Sequence, residues 1–289
     1  MKSLYLLLLA TLSLSAHARP PAPPPWTLDI YGIQMQKGEL AQDGDFDDSE
    51  LGLQFGYSTR LGPKWILGAR VNYDYRRFDF DRTALFDGAL ETWSHRQRVG
   101  LGFNAIHLLN QRWSLILAPR VQWSAAQEAS LSDGFSYGLL AGGMAKVNPD
   151  LQLGVGFSYL NDVKDTTFFP IILVKWQISE RWKLDNPFEP GFSGGAGLEL
   201  SYRWNPHYEF AFGGAYRSDR FVVNDGAVET QAPLAFLRWS YFPEGDWDLS
   251  ILLGYRFSGE MEWDPNGSGR RKQNIDARLG VGASLAFKF

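Results

Sequence analysis

A two-residue period of hydrophobicity, held for ten or more residues at a time, restricts this chain more than any other feature. In the final segment Ile275, Ala277, Leu279, Val281, Ala283, Leu285, Phe287 and Phe289 form one face. Asn274, Asp276, Arg278, Gly280, Gly282, Ser284, Ala286 and Lys288 form the other. Successive side chains of a strand point to opposite sides, so this division describes a strand with one apolar face and one polar or tiny face. The pattern recurs at Leu51 to Tyr57, Trp65 to Tyr75, Trp113 to Trp123, Leu151 to Tyr159 and Trp247 to Phe257. These runs reach about 10–14 residues, where strands of soluble domains average about five or six. No segment sustains a 3.6-residue period, and after residue 18 none approaches the ~20 apolar residues of a membrane helix.

The segments between the runs alternate in length. Short ones are rich in turn formers: Leu61-Gly62-Pro63-Lys64, Asn110-Gln111, Asn148-Pro149-Asp150, Ser179-Glu180, Asn205-Pro206 and Pro243-Glu244-Gly245-Asp246. Long polar ones fall at 38–49, 77–92, 125–133, 160–166, 185–193, 218–229 and 259–272. Short and long connections at opposite ends are the mark of a transmembrane barrel. Trp65, Trp113, Trp176, Trp182, Trp204, Trp239 and Trp247 lie beside short turns. They are expected to form an aromatic girdle at that membrane interface. The predicted fold is therefore an all-β, transmembrane, antiparallel up-and-down β-barrel of fourteen strands. Twelve is the alternative if the first segment and the weak ninth segment, Trp182 to Leu184, do not pair.

The ends of the chain fit export to the outer membrane. Lys2, the apolar run Leu4 to Ala10 and Ala16-His17-Ala18 have the order of a secretory signal peptide, cut after Ala18. Residues 1–18 are thus read as signal peptide, 19–26 as a Pro-rich periplasmic lead-in and 27–289 as the barrel. Leu285, Phe287 and Phe289 have the alternation of an assembly β-signal, recognised by strand addition. The chain has no cysteine, which excludes a lipid-anchored cysteine and a disulfide scaffold. Removing Lys2 leaves 27 basic and 32 acidic residues, so nothing points to nucleic acid.

Several short stretches carry a closer likeness. They are Gly138-Leu139-Leu140-Ala141-Gly142-Gly143, Leu153-Gly154-Val155-Gly156, Phe168-Phe169-Pro170-Ile171 followed by Trp176, Trp182-Lys183-Leu184, Gly197-Leu198-Glu199-Leu200-Ser201-Tyr202, and Gly213-Gly214-Ala215-Tyr216-Arg217. Across residues 135–260 the sequence resembles a family of uncharacterised outer-membrane barrels described as a domain of unknown function, DUF6268. The resemblance implies location and architecture. It implies no activity.

The alternation assigns side chains to the lumen: Arg70, Arg96, Arg98, Arg120, Lys146, Lys175, Arg203, Arg238, Arg256 and Arg278, with Glu50, Asp74, Glu199, Glu209, Asp248 and Asp276 as acidic partners. Excess cations favour small anionic solutes if the lumen is open; pairing across a narrow lumen would close it. The expected role is a pore or structural barrel, with a lipid A- or phospholipid-modifying enzyme and a loop-mediated interaction protein as alternatives. His95, His107 and His207 are the histidines left after signal cleavage, and no serine motif accompanies them. No catalytic residue, cofactor or metal is assigned. Asp43-Gly44-Asp45-Phe46-Asp47-Asp48 departs from a calcium loop, because Gln54 stands at the twelfth position. Expected partners are the bilayer, lipopolysaccharide, periplasmic chaperones and the outer-membrane assembly machinery. Phe289→Ser is expected to lower the amount of folded barrel recovered from outer membranes, measured by immunoblot; normal insertion would contradict the β-signal.

Overall fold

In the computed structural model, the described residues are 24–41, 44–163, 165–186, 197–267 and 269–289. The signal residues Ala16 and Ala18, most of the lead-in, Asp43 and much of segment 185–193 lie outside them. Fourteen antiparallel strands close into a barrel. They are β1 (Trp26–Leu40), β2 (Gly44–Leu61), β3 (Trp65–Phe80), β4 (His95–Leu108), β5 (Trp113–Ala126), β6 (Phe135–Lys146) and β7 (Leu151–Asp162). There follow β8 (Asp165–Gln177), β9 (Trp182–Asp185), β10 (Gly197–Asn205), β11 (Tyr208–Val223), β12 (Gly226–Tyr241), β13 (Trp247–Arg256) and β14 (Arg278–Lys288). The weak ninth segment is a strand: Trp176 opposes Leu184, and Trp182 opposes Tyr202.

Closure comes from β1 against β14, with Thr27 opposite Lys288 and Met35 opposite Gly280. Trp26 and Phe289 exchange both backbone hydrogen bonds, at 3.0 and 3.1 Å. Backbone amides in hydrocarbon have no water to bond, so a sheet crossing a bilayer must close on itself. Leu285 opposes both Ile30 and Leu249, and Phe287 opposes Leu28 and Trp247. These positions sit at the seam of the ring.

The end bearing the short connections is called the turn end, the other the loop end. Toward the turn end the outer surface is apolar and exposed: Leu51, Leu53, Phe55, Val71, Leu115, Leu117, Val155, Ile251 and Val281. Rings line its rim, with Trp26 on Tyr57 at 4.4 Å, Trp182 on Tyr202 at 4.8 Å and Tyr208 on Tyr241 at 5.3 Å. Toward the loop end the polarity reverses within single strands. On β3 the outward series Val71, Tyr73, Tyr75 gives way to Arg77 and Asp79, while Phe78 turns inward and is buried. On β2 Phe46 is 0% exposed and Asp45 and Asp47 take the outer face. Outside lipid the barrel follows the rule of a water-soluble protein, apolar inside and polar outside.

This reversal corrects the expected long loops. The described residues of segments 38–49 and 218–229 are strand almost throughout, the second turning at Asn224–Asp225. Most of 160–166 is strand as well. Segment 259–272 carries Gly259–Asp264, an extension of β13, which pairs with β12 and with Arg271–Ile275 ahead of β14. The polar composition reflects water on the outer face and does not mark loops. The alternation from Ile275 to Phe289 is also interrupted. The chain leaves the sheet at Asp276–Ala277, so Ile275 is buried inside and does not share the lipid face with Leu279.

Small residues let large inward side chains lie against the wall. The Tyr31 ring lies over Gly52, where a Cβ would stand 2.1 Å from a ring carbon. Phe236 lies over Gly213 in the same way, at 2.6 Å. Gly52→Ala must displace Tyr31 and is expected to cost about 1–3 kcal/mol. Gly143→Ala, which meets only Leu115 at 3.6 Å and its backbone neighbour at 3.9 Å, should be near neutral. Heat-modifiability on gels reads both; equal midpoints would contradict the packing argument.

Candidate functional site

The inward side chains collect into two groups. The one nearer the loop end is built across the lumen. The upper half of β11 leans away from the wall, so that Val222 bridges to Ala125 of β5 in parallel. That tilt carries Asp219 to the far wall. It bonds Arg76 of β3 at 2.7 Å and Arg96 of β4 at 2.8 Å, and it also pairs with Arg98. Arg76 meets Asp48 of β2 at 2.8 Å, and Arg278 of β14 meets the same carboxylate at 2.6 Å. Arg96 approaches Glu50 at 3.7 Å. Tyr31 donates to Glu50 at 3.2 Å and also to Asp74.

A hydrophobic plug sits on this group. Leu40, Phe46, Phe78, Leu85, Phe86, Trp93, Phe221, Val228, Met261, Trp263 and Ile275 pack together, and Phe221 is 0% exposed. Trp93 contacts Phe221 at 5.3 Å and Phe78 at 5.7 Å, both edge-on. The loop end is therefore closed by apolar packing above and ion pairs below. Arg220 fastens the leaning hairpin from outside. It bonds the Val163 carbonyl at 3.0 Å, Glu229 at 2.6 Å and Asp165 at 3.2 Å. Burial pushes the Asp165 carboxyl up, but the Thr166 N–H, Arg270 and Arg220 hold it below the usual carboxylate range.

The second group lies nearer the turn end. Arg238 of β12 reaches Glu199 of β10, with one contact at 3.2 Å, and Glu209 of β11 at 3.0 Å. Arg203 pairs with Glu209 at 2.9 Å. Between the groups an inward apolar cluster of Met35, Ala215, Leu234, Phe236 and Leu252 fills one side of the barrel.

Of the lumenal charges expected from the alternation, Arg96, Arg98, Arg256 and Arg278 come together in the first group. Glu199, Arg203 and Arg238 form the second. Arg70, Arg120, Lys146 and Lys175 stand apart and remain exposed to the lumen. Asp276 is not lumenal; it is an exposed residue in the break before β14. Asp48, Arg76, Arg217 and Asp219 were missed. Asp48 and Asp219 fall in segments expected to be loops, Arg76 and Arg217 end expected strands, and extending the alternation by one or two pairs would have found them. Trp65, Trp113, Trp176, Trp182, Trp204 and Trp247 are exposed, and Trp239 is half-buried beside Tyr208.

The described histidines lie on β4 and just ahead of β11. His107 lies against Trp65, tilted, at 4.1 Å, and His207 bonds the Phe242 carbonyl at 2.9 Å. His95 stacks on Tyr75 and lies 3.1 Å from the Ser94 hydroxyl, which also bonds Gln127. Among the described residues no group of three or more His, Cys, Asp or Glu is placed to hold a metal ion.

No curated protein matches the chain in sequence. Solved structures share the architecture. An outer-membrane channel of the COG4313 group from Pseudomonas putida F1 matches with a TM-score of 0.53 at 10% identity, over 93% of this chain and 100% of that one. The P. putida toluene transporter TodX matches with a TM-score of 0.48 at 10% identity, over 93% and 91%. The NanC porin matches with a TM-score of 0.41 at 12% identity, over 91% and 100%. The first of these shows a shared fold of the outer-membrane channel type. The model of the family described as a domain of unknown function, DUF6268, matches residues 49–230, beginning well before the motifs at 135. That match covers more than half of the sequence, and the chain belongs to the DUF6268 family.

Proposed function

We propose that this protein is an outer-membrane barrel that conducts small anionic solutes and that the structure is its closed state. The observation that carries the reading is Asp219. One carboxylate on a leaning strand holds three arginines of the opposite wall and so keeps the plug across the lumen. Breaking a buried ion pair by removing one partner costs about 3–5 kcal/mol, which loosens the hold of the leaning hairpin on the opposite wall. Below the plug the exposed cations Arg70, Arg120 and Lys175 line the route from the turn end. Such a wall attracts anions and repels cations.

The same reading places the turn end in the periplasm and the plug outside the cell. Export would use the signal cut after Ala18, and insertion would use periplasmic chaperones and the assembly machinery acting on Leu285, Phe287 and Phe289. The tryptophans at the turn end would anchor the inner interface, with lipopolysaccharide around the opposite rim. A lipid-modifying enzyme is the competing class. Ser94 and His95 are its best candidates, yet Gln127 stands beside them where a carboxylate would be wanted.

Planar-bilayer recording tests the proposal. The parent protein should show rare, small openings, and Asp219→Ala frequent and larger ones. Reversal potentials in a KCl gradient should favour chloride. Silence in both proteins, or preference for potassium, would overturn the conduit.

A further inference from the structure

We infer that the lumen holds a binding site for a small dianion of the phosphate or sulfate class, directly beneath the plug, formed by Arg96, Arg217, Arg256 and Arg278. The inference rests on the cation-biased lumen proposed above, but not on conduction. Its starting point is the register of β13 and β14, which sets Arg256 directly opposite Arg278 with both side chains inward. Like charges opposed across strands repel. Arg278 turns to Asp48. Arg256 has no hydrogen bond or ion pair among the described residues, and its electrostatic neighbours include Arg76, Arg278 and Arg217 as well as Asp48. Arg217, inward on β11, likewise has no ion pair there and lies near Glu50.

Two independent features indicate a missing acceptor. The first is charge. Arg76, Arg96, Arg98, Arg217, Arg256 and Arg278 face Asp48, Glu50, Asp74 and Asp219, an excess of two positive charges among the described residues. The next carboxylate on β2, Asp47, points to the outer face. Asp162 also acts on Arg98, but it is engaged by Ser136 at 2.5 Å and is offset by Arg120, a further cation beside it, so counting both leaves the excess at two. The second feature is donors. Nε and Nη1 of Arg96, Nε of Arg98, and Nε and Nη1 of Arg278 are buried and bond nothing. The side chains of Arg96 and Arg278 are 1% exposed. A buried donor left unpaired costs the desolvation of its group, more so when it is charged. One tetrahedral dianion supplies both the acceptor oxygens and the two negative charges, and guanidinium forks fit such oxygens in pairs. Leu234 lies opposite Arg256 and Leu252 beside it, an apolar wall that strengthens the attraction.

The arginines face the lumen, so the anion comes from water and not from a lipid headgroup. Calorimetry on the folded barrel in detergent micelles tests this, titrating sodium sulfate or sodium phosphate at constant ionic strength over a chloride background. Saturable binding is expected, weakened about tenfold or more by Arg256→Gln and by Arg217→Gln. Thermal melts keep loss of binding apart from loss of fold. Sulfate should raise the midpoint of the parent protein, while in sulfate-free buffer Arg256→Gln should melt no lower than the parent, since it removes a repelled charge. Absence of saturable binding, or binding unchanged in both variants, overturns the site. Competition by phosphatidic acid in the micelles overturns the lumenal assignment. A silent bilayer with dianion binding intact would remove the conduit alone; conductance without dianion binding would remove this site alone.

Discussion

Every feature of this molecule depends on the closure of one sheet. In hydrocarbon an unpaired amide has no partner, so the edge of β1 must find the edge of β14. That single seam fixes the ring, and the ring fixes which side chains can meet. Asp219 and Arg76 are 143 residues apart in sequence. They meet because fourteen strands place β3 and β11 on facing walls. The long-range ion pairs and the plug are consequences of circumference and tilt, and no local preference of the chain dictates them.

Two solvents then divide each strand. Where lipid surrounds the barrel, apolar residues face out and glycine or polar residues face in. Where water surrounds it, the same strand carries Phe46 or Phe78 inward and aspartate or arginine outward. In β2 and β3 the backbone continues through the change without a break. The polar residues that mark the membrane boundary are therefore wall.

This explains what could be read from the sequence and what could not. The alternation at Leu51 to Tyr57 or Val71 to Tyr75 is visible because lipid enforces it. The four-residue β9 was legible only by parity, since its neighbours demanded a strand between two turns on one side. Beyond Glu50 and Arg76 the alternation inverts, and an inverted pattern at the head of a strand looks like a polar loop. The lumenal arginines were legible by phase, but their grouping was not. Phase tells which side of the wall Arg96 occupies and says nothing of the leaning of β11 that brings Asp219 to it. The break at Asp276–Ala277 was hidden because Ile275 continues the apolar series while facing the other way.

The plug described at the loop end is drawn from β1, β2, β3, the β3–β4 connection, β5, β11, β12 and the stretches flanking β13 and β14. No contiguous piece of the chain contains it. Leu40 meets the Ile275 strand segment only once first and last strands stand side by side. The cap is thus a record of circular closure, written in side chains. A half-zippered sheet would hold a water-filled trough of arginines, with Phe46 and Phe78 of neighbouring strands lacking Phe221. The apolar lid and the completed ring are one event seen from two ends of the molecule.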